Sequence, residues 1–208
     1  MMGYKLGRTY VSMVDVNCYF VYDENGHTVV FDPGAEGQKI YEKLGEKGLK
    51  VSGIVLTHGH YDHILGVAAL KDRSGCRVYA PEPEEEILTN TGLNLSSEIG
   101  RPCTVKADQF LKDGEICDID GIRFKTLLTP GHTKGSACYY FEEDKMLISG
   151  DTLFEGSVGR SDLPTGNMGE LINSIRKKLM TLPEDVKVYP GHGNDTTIGD
   201  EKKYNPFC

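Results

Sequence analysis

The chain has 208 residues, of which 38 % are apolar and 26 % charged; that make-up belongs to a folded globular protein and excludes a disordered one. A formal net charge of −8 and an isoelectric point of 5.3 exclude the broad basic footprint of a DNA- or RNA-binding protein. No stretch approaches the apolar length of a membrane span, and the first twenty residues lack the basic start and apolar run of a secretory leader. A cytoplasmic protein is therefore expected, with a small-molecule substrate and neither nucleic acid nor membrane as partner. The six cysteines (Cys18, Cys76, Cys103, Cys117, Cys138, Cys208) are scattered without C-x-x-C pairs and read as reduced thiols, mostly buried. The sequence does not specify an oligomeric state.

In chain order, Tyr10–Met13 and Asn17–Tyr22 read as short strands. Asp23-Glu24-Asn25-Gly26 follows as a hairpin turn, since Asn-Gly supplies the positive φ values such turns need. Thr28–Asp32 returns as a strand and ends at Pro33-Gly34. Ala35–Lys47 has helical spacing and stops at Gly48. Val51–Thr57 is an almost unbroken apolar run, the mark of a strand buried on both faces. Asp62–Arg73 reads as one helix, Arg77–Ala80 as a strand, and Pro81–Asn90 as the start of another helix. The polar stretch Thr91–Pro102 reads as a surface loop beside the active site. From Gly114 the pattern begins again, with strands at Glu115–Ile119, Ile122–Thr129, Ala137–Phe141 and Met146–Ser149. An amphipathic helix at Met168–Met180 and a last buried strand at Val186–Tyr189 complete it. Each half offers strands followed by helices, which suits two sheets packed face to face with helices outside: an α/β, four-layer αββα sandwich. With no linker rich in Pro, Gly and Ser, residues 1–208 are expected to form one domain.

Five of the six histidines sit at or just beyond the ends of these strands, mostly beside glycine; His27, in the hairpin, reads as a surface residue. His58 and His60 lie two apart in extended chain and point the same way, so they can grip one metal ion together. The chain then turns helical, where neighbours splay by about 100°, so Asp62 and His63 can face a second ion. His132, Asp151 and His192 each follow a buried strand, in Thr129-Pro130-Gly131-His132, Ser149-Gly150-Asp151 and Tyr189-Pro190-Gly191-His192. Glycine at such a strand end lets the backbone approach a ligand closely. Nitrogen and oxygen donors without cysteine suit zinc, iron or manganese. Two divalent ions are expected. Asp62, Asp151 and a bridging hydroxide would offset most of their charge, leaving a small positive excess for an anionic substrate or a developing oxyanion.

Thr57-His58-Gly59-His60-Tyr61-Asp62-His63 resembles the H-x-H-x-D-H signature of the metallo-β-lactamase superfamily. Pro130-Gly131-His132-Thr133-Lys134-Gly135-Ser136, Gly150-Asp151-Thr152-Leu153-Phe154 and Tyr189-Pro190-Gly191-His192-Gly193 resemble its glyoxalase II branch. So does the closing stretch from Thr196 to Phe207. The resemblance implies the αββα fold, His58, His60 and His132 on one metal, Asp62, His63 and His192 on the other, and Asp151 between them. It also implies a hydrolase in which a metal-bridging hydroxide attacks the carbonyl carbon of a small acyl thioester of the S-D-lactoylglutathione kind. Asp62 would orient that nucleophile and manage a proton.

The sequence departs from that branch in three places. Gly159-Arg160-Ser161-Asp162 stands where the branch places a Lys and a Tyr, and Gly193-Asn194-Asp195 replaces the Tyr after the last histidine. The chain also stops where a C-terminal helical domain that helps to hold glutathione would begin. Arg160 is the candidate for a substrate carboxylate, with an ion pair to Asp162 as its alternative role. Asn17 and Tyr61 are candidate pocket or packing residues. Other readings are hydrolysis of another ester or lactone, and a persulfide dioxygenase-like oxidoreductase with one iron.

Overall fold

In the computed structural model, which describes residues 3–11 and 15–208, two six-stranded sheets lie face to face. The first has the order β1 (Lys5–Val11), β2 (Val16–Tyr22), β3 (His27–Phe31), β4 (Lys50–Val55), β5 (Arg77–Pro81), β6 (Gln109–Leu111). Its first two pairings are antiparallel hairpins, and the other three are parallel, with crossover helices between β3 and β4 and between β4 and β5. The second sheet comprises β7 (Ile116–Ile119), β8 (Ile122–Leu128), β9 (Ala137–Phe141), β10 (Met146–Gly150), β13 (Lys187–Pro190) and β14 (Thr196–Thr197), neighbours in that order. A small hairpin, β11 (Leu153–Phe154) and β12 (Ser157–Val158), stands apart.

Three apolar clusters define the layers. Between the sheets, Tyr19, Val29, Phe31 and Val55 meet Ile122, Phe124, Tyr139, Phe141 and Ile148. Phe31 is the hub, with ring centres 5.7 Å from Phe124 and 5.6 Å from Tyr139. A buried side chain of this size stabilises the fold by roughly 1.5–3 kcal/mol. Outside the first sheet, Ile40 and Leu44 of α1 (Gly37–Glu46) and Val67 and Leu70 of α3 (Val67–Ser74) pack on Ile54 and Val78. Outside the second, Leu171 of α5 (Met168–Ser174) and Ile198 of α6 (Ile198–Tyr204) pack on Leu147 and Val188. The result is the four-layer αββα sandwich expected from the order of elements.

Several boundaries differ from the sequence reading. The first strand starts at Lys5, well before Tyr10, and the expected end at Met13 lies outside the described residues. The single helix expected over Asp62–Arg73 is two: α2 (Tyr61–Ile64) and α3, broken at Leu65-Gly66. At the break the Gly66 N–H donates to the Pro33 carbonyl at 2.8 Å, and a Cβ on Gly66 would strike the backbone of Pro33 and Ala35. Tertiary contact, not propensity, cuts this helix. The stretch Met168–Met180 is continuous but changes pitch: after Ser174 it widens to a π-helical turn, with Met180 N–H donating to the Ile175 carbonyl at 2.9 Å. Pro81–Asn90 is shorter than expected, a single tight turn and then α4 (Glu85–Thr89). The short elements β6, β11, β12, β14 and α6 had no sequence expectation. All six cysteines are free, four of them buried. Among the described residues no helix is long and apolar enough to cross a membrane.

Candidate metal centre

The strands that run the same way bring their chemistry to one end. β3 and β4 are parallel; β8 and β10 both run antiparallel to β9, and β10 is parallel to β13. The carboxyl ends of β3 and β4 on one sheet, and of β8, β10 and β13 on the other, therefore each face one way. Hydrogen bonds between the sheets join the two ends: Ala137 N–H to the Thr57 carbonyl at 2.9 Å, and Tyr139 O–H to the Leu56 carbonyl at 2.5 Å. Asn17, a candidate pocket residue, is instead buried beneath the His192 loop. It donates from its backbone to the Gly191 carbonyl, and from its side chain to the carbonyls of Pro190 and Gly193.

Seven side chains converge there. His58 Nε2 and His60 Nδ1 lie 3.3 and 3.0 Å from His132 Nε2, a compact triad of three nitrogens. Asp62 Oδ2 lies 3.4 Å from His192 Nε2 and 3.9 Å from His63 Nε2, a second triad. Asp151 stands between them: Oδ1 is 3.5 Å from His63 Nε2, and Oδ2 is 3.6 Å from both His132 Nε2 and His192 Nε2. The turn from extended to helical backbone at His60–Tyr61 is what aims His58 and His60 at one triad and Asp62 and His63 at the other. Glycines make the approach possible. A Cβ on Gly34 would enter the Asp62 carbonyl, one on Gly191 would enter the Asp151 carboxylate, and one on Gly159 would enter the Asp151 carbonyl.

The proton positions fit metal ions. Asp32, at the end of β3, accepts from Thr57 N–H at 2.8 Å and Thr57 O–H at 2.6 Å. Its second oxygen also lies 3.0 Å from His63 Nδ1, so that nitrogen carries a proton and Nε2 is the one turned inward. The Thr57 hydroxyl, having donated to Asp32, accepts from His58 Nδ1 at 3.1 Å, which fixes the same tautomer on His58. His132 Nδ1 sits 2.7 Å from the Arg160 carbonyl, an obligate acceptor, so Nδ1 donates and Nε2 is the nitrogen turned inward. His63 Nε2 and Asp151 Oδ1 are buried without any hydrogen-bond partner. Buried polar atoms left unpaired are costly, and a cation beside Asp62, His63 and His192 would satisfy them. The cluster is therefore able to bind metal ions.

Electrostatics divide the two triads. Burial, reinforced by His132, pushes His60 down to about 3, and burial with His63 and His132 holds His58 well below the usual imidazole range. His58 and His60 thus face His132 as neutral imidazoles. In the second triad burial alone would lower His63, but Asp151, Asp32 and Asp62 outweigh it and lift the group to about 10. His192 is raised against its own burial by Asp62 and Asp151. Burial would raise Asp62, yet His63 and His192 hold it well below the usual carboxylate range. The field there is negative enough to keep a proton on imidazole, and an entering divalent cation would replace it.

Two carboxylates escaped sequence reasoning. Asp32 carries the same signal as the candidate ligands, a strand end followed by Pro33-Gly34. Glu84, fully buried, accepts from Gly59 N–H at 2.7 Å, Gly135 N–H at 2.9 Å and Thr133 O–H at 2.7 Å. It ties the His58–His60 loop to the loop after His132. Burial, only partly offset by these donors, raises it to about 7.

A cavity of about 590 Å³ opens onto the cluster, and Tyr61 and Arg160 both line it. Arg160 is largely exposed at the rim, where Nε and Nη2 each donate to Asp162 at 2.8 Å. Leu95, Glu98 and Ile99 put the 91–102 loop on the same cavity, as expected from its position in the chain.

Known proteins share both the pattern and the architecture. The family model of the metallo-beta-lactamase superfamily matches residues 12–192. The chain is 40 % identical over 206 residues to the probable metallo-hydrolase YqgX of Bacillus subtilis, covering 98 % of this chain and 97 % of that one. It is 36 % identical over 203 residues to the hydroxyacylglutathione hydrolase GloC of Haemophilus influenzae, covering 95 % and 94 %. Among solved structures, BLEG-1 B3 metallo-beta-lactamase superposes with a TM-score of 0.93 at 38 % identity, over 98 % of this chain and 99 % of that one. The di-iron-bound form of TTHA1623 superposes at 0.87 and 33 % identity, over 97 % and 100 %. With its donor set, its strand-end geometry and these likenesses, the chain belongs to the metallo-beta-lactamase superfamily.

Proposed function

We propose that the protein is a two-metal hydrolase of small acyl thioesters, with zinc as the first candidate metal and iron or manganese as alternatives. The observation that carries this reading is Asp151, whose carboxylate lies within 3.6 Å of His132 in one triad and of His63 and His192 in the other. The likeness to a hydroxyacylglutathione hydrolase supports the substrate class. His58, His60 and His132 would hold one ion, and Asp62, His63 and His192 the other, with Asp151 shared. Such a pair of ions, when bound, supplies hydroxide near neutral pH and polarises a carbonyl oxygen.

The chain's own residues do the rest. Asp62, kept ionised by the imidazoles beside it, orients the attacking water as a hydrogen-bond acceptor. Asp32 and Thr57 lock the imidazoles of His63 and His58, so neither can turn. Arg160 at the rim offers a planar fork to a substrate carboxylate in exchange for Asp162.

The test is metal analysis followed by a panel of acyl thioesters, lactones, β-lactams and phosphodiesters on protein of known metal content. Two ions per chain with hydrolysis of thioesters is the expected result. One iron per chain with oxygen uptake would overturn it in favour of a persulfide dioxygenase. Asp151→Ala should lose metal and hydrolysis together; near-normal turnover in that variant removes Asp151 from the mechanism.

A further inference from the structure

The closing stretch Thr196–Phe207 stands outside the metal cluster, yet its polar side chains are not spent on solvent. Glu201, on α6, is 2 % exposed and ringed by donors: Thr196 O–H at 2.6 Å, Asn205 Nδ2 at 2.7 Å and Gly156 N–H at 3.0 Å. Asn205, also buried, donates in addition to the Ser157 carbonyl at 3.0 Å. Gly156 lies in the turn of the β11–β12 hairpin and Ser157 opens β12, and that hairpin walls the cavity with Phe154 and Val158. Phe154 meets His192 edge-on with ring centres 6.4 Å apart, so the wall begins directly beside the second triad.

The same cavity has another apolar wall, of similar construction. Leu95 and Ile99 line it. Leu95 holds a left-handed backbone, φ +65°, which a branched side chain rarely adopts. Buried Asn94 and Ser96 keep it there: Asn94 Oδ1 accepts from Ser96 N–H at 3.0 Å, and both side chains donate to the Cys103 carbonyl. Strain retained at a cavity wall by a dedicated polar network is the signature of a side chain whose direction matters.

We infer that Phe154 and Val158, with Leu95 and Ile99, form an apolar subsite for the hydrocarbon part of the substrate's acyl group, and that Glu201 is the positioning residue of its hairpin wall. This deepens the thioesterase reading and rests on it for the identity of the reacting group. It makes the preferred substrate a thioester with an apolar acyl chain, longer than lactoyl. A methylene placed in such a pocket changes kcat/KM by about tenfold or more.

The test compares acetyl, butanoyl and hexanoyl thioesters of one thiol on the metal-loaded enzyme. The expected result is a kcat/KM that climbs with chain length, mostly through KM. Glu201→Ala flattens that climb, Glu201→Gln restores it because the amide oxygen still accepts from Gly156, and Asn205→Ala flattens it independently should Glu201→Ala not fold. Amide exchange supplies a readout free of turnover: the Gly156 amide should exchange about tenfold faster or more in Glu201→Ala, the loss of a hydrogen bond to a charged group. A flat chain-length profile in active wild type overturns the subsite alone. Unchanged Gly156 exchange, or Glu201→Gln behaving like Glu201→Ala, overturns the positioning role. Absence of any thioester hydrolysis would instead sink the parent reading; the subsite is then judged by calorimetric binding of hexyl against ethyl thioethers, where equal affinity overturns it.

Discussion

Asp32 shows how one carboxylate can set the protonation of two ligands. It reaches His63 directly and His58 through the Thr57 hydroxyl, and both imidazoles are thereby locked with Nδ1 as donor and Nε2 toward the cluster. Asp32→Asn keeps the shape but offers only one acceptor oxygen, and its amide N–H₂ would confront either the His63 N–H or the Thr57 donors. Metal affinity is expected to fall by about 10–100-fold, measured by competition with a chromophoric chelator; unchanged affinity would remove Asp32 from the design. At this scale the candidate donors were legible, because five histidines and two aspartates recur at or just beyond strand ends, mostly beside glycine. The supporting carboxylates were not. Asp32 lies in Asp32-Pro33-Gly34, a string that also serves as an ordinary turn, and nothing local says which donors will reach it. Arg160 illustrates the converse: its position in the loop after Asp151 was visible, and its pairing with Asp162 was visible only as an alternative.

Among elements, Glu84 closes the gap between two ligand loops that are far apart in sequence. It sits in Glu82-Pro83-Glu84-Glu85-Glu86, within the stretch expected to start a helix, where three neighbouring glutamates offer the same chemistry. The signal that singles it out is phase: Ile87 and Leu88 are buried, and Glu84 lies three and four residues before them on the same inward face. Because its folded-state pKa, about 7, exceeds the ordinary glutamate value of 4.5, the native state binds more protons than the unfolded chain between those values. Stability contributed by this group is therefore highest below about pH 4.5, falls as pH rises toward 7, and is level above. The fall amounts to at most about 3 kcal/mol. Glu84→Gln should remove that slope, seen as a flatter pH dependence of urea unfolding between pH 4.5 and 7 than in the wild type. Parallel slopes would show that Glu84 stays ionised throughout. The broken helix at Gly66 has a similar lesson. Residues 62–73 have helical spacing throughout, and only the approach of Pro33 and Ala35 from another part of the chain divides them.

Across the whole molecule, the cluster joins what the core already joins. His58, His60, Asp62 and His63 come from the first sheet's side, and His132, Asp151 and His192 from the second's. Ions held between them stabilise only the folded chain, by about 3 kcal/mol at a free concentration one hundred times the dissociation constant. Chelation should lower Tm by about 5–12 °C for a chain of this size, read by calorimetry with and without added metal; an unchanged Tm would mean that the ions do not bridge the halves. The layered architecture was legible because two rounds of strands then helices leave few ways to bury both sheets. The short pieces β11, β12 and α6 were not, since their positions depend on Glu201 and Asn205 reaching across some forty-five residues. That separation has an evolutionary corollary. The cage is welded to rigid strand termini whose glycines tolerate no added carbon, whereas the cavity walls hang on polar clasps elsewhere in the chain. Drift in the clasps or in the walls they hold can therefore retarget the chemistry without disturbing the atoms that perform it, which offers one physical reason why so similar a scaffold can carry different activities.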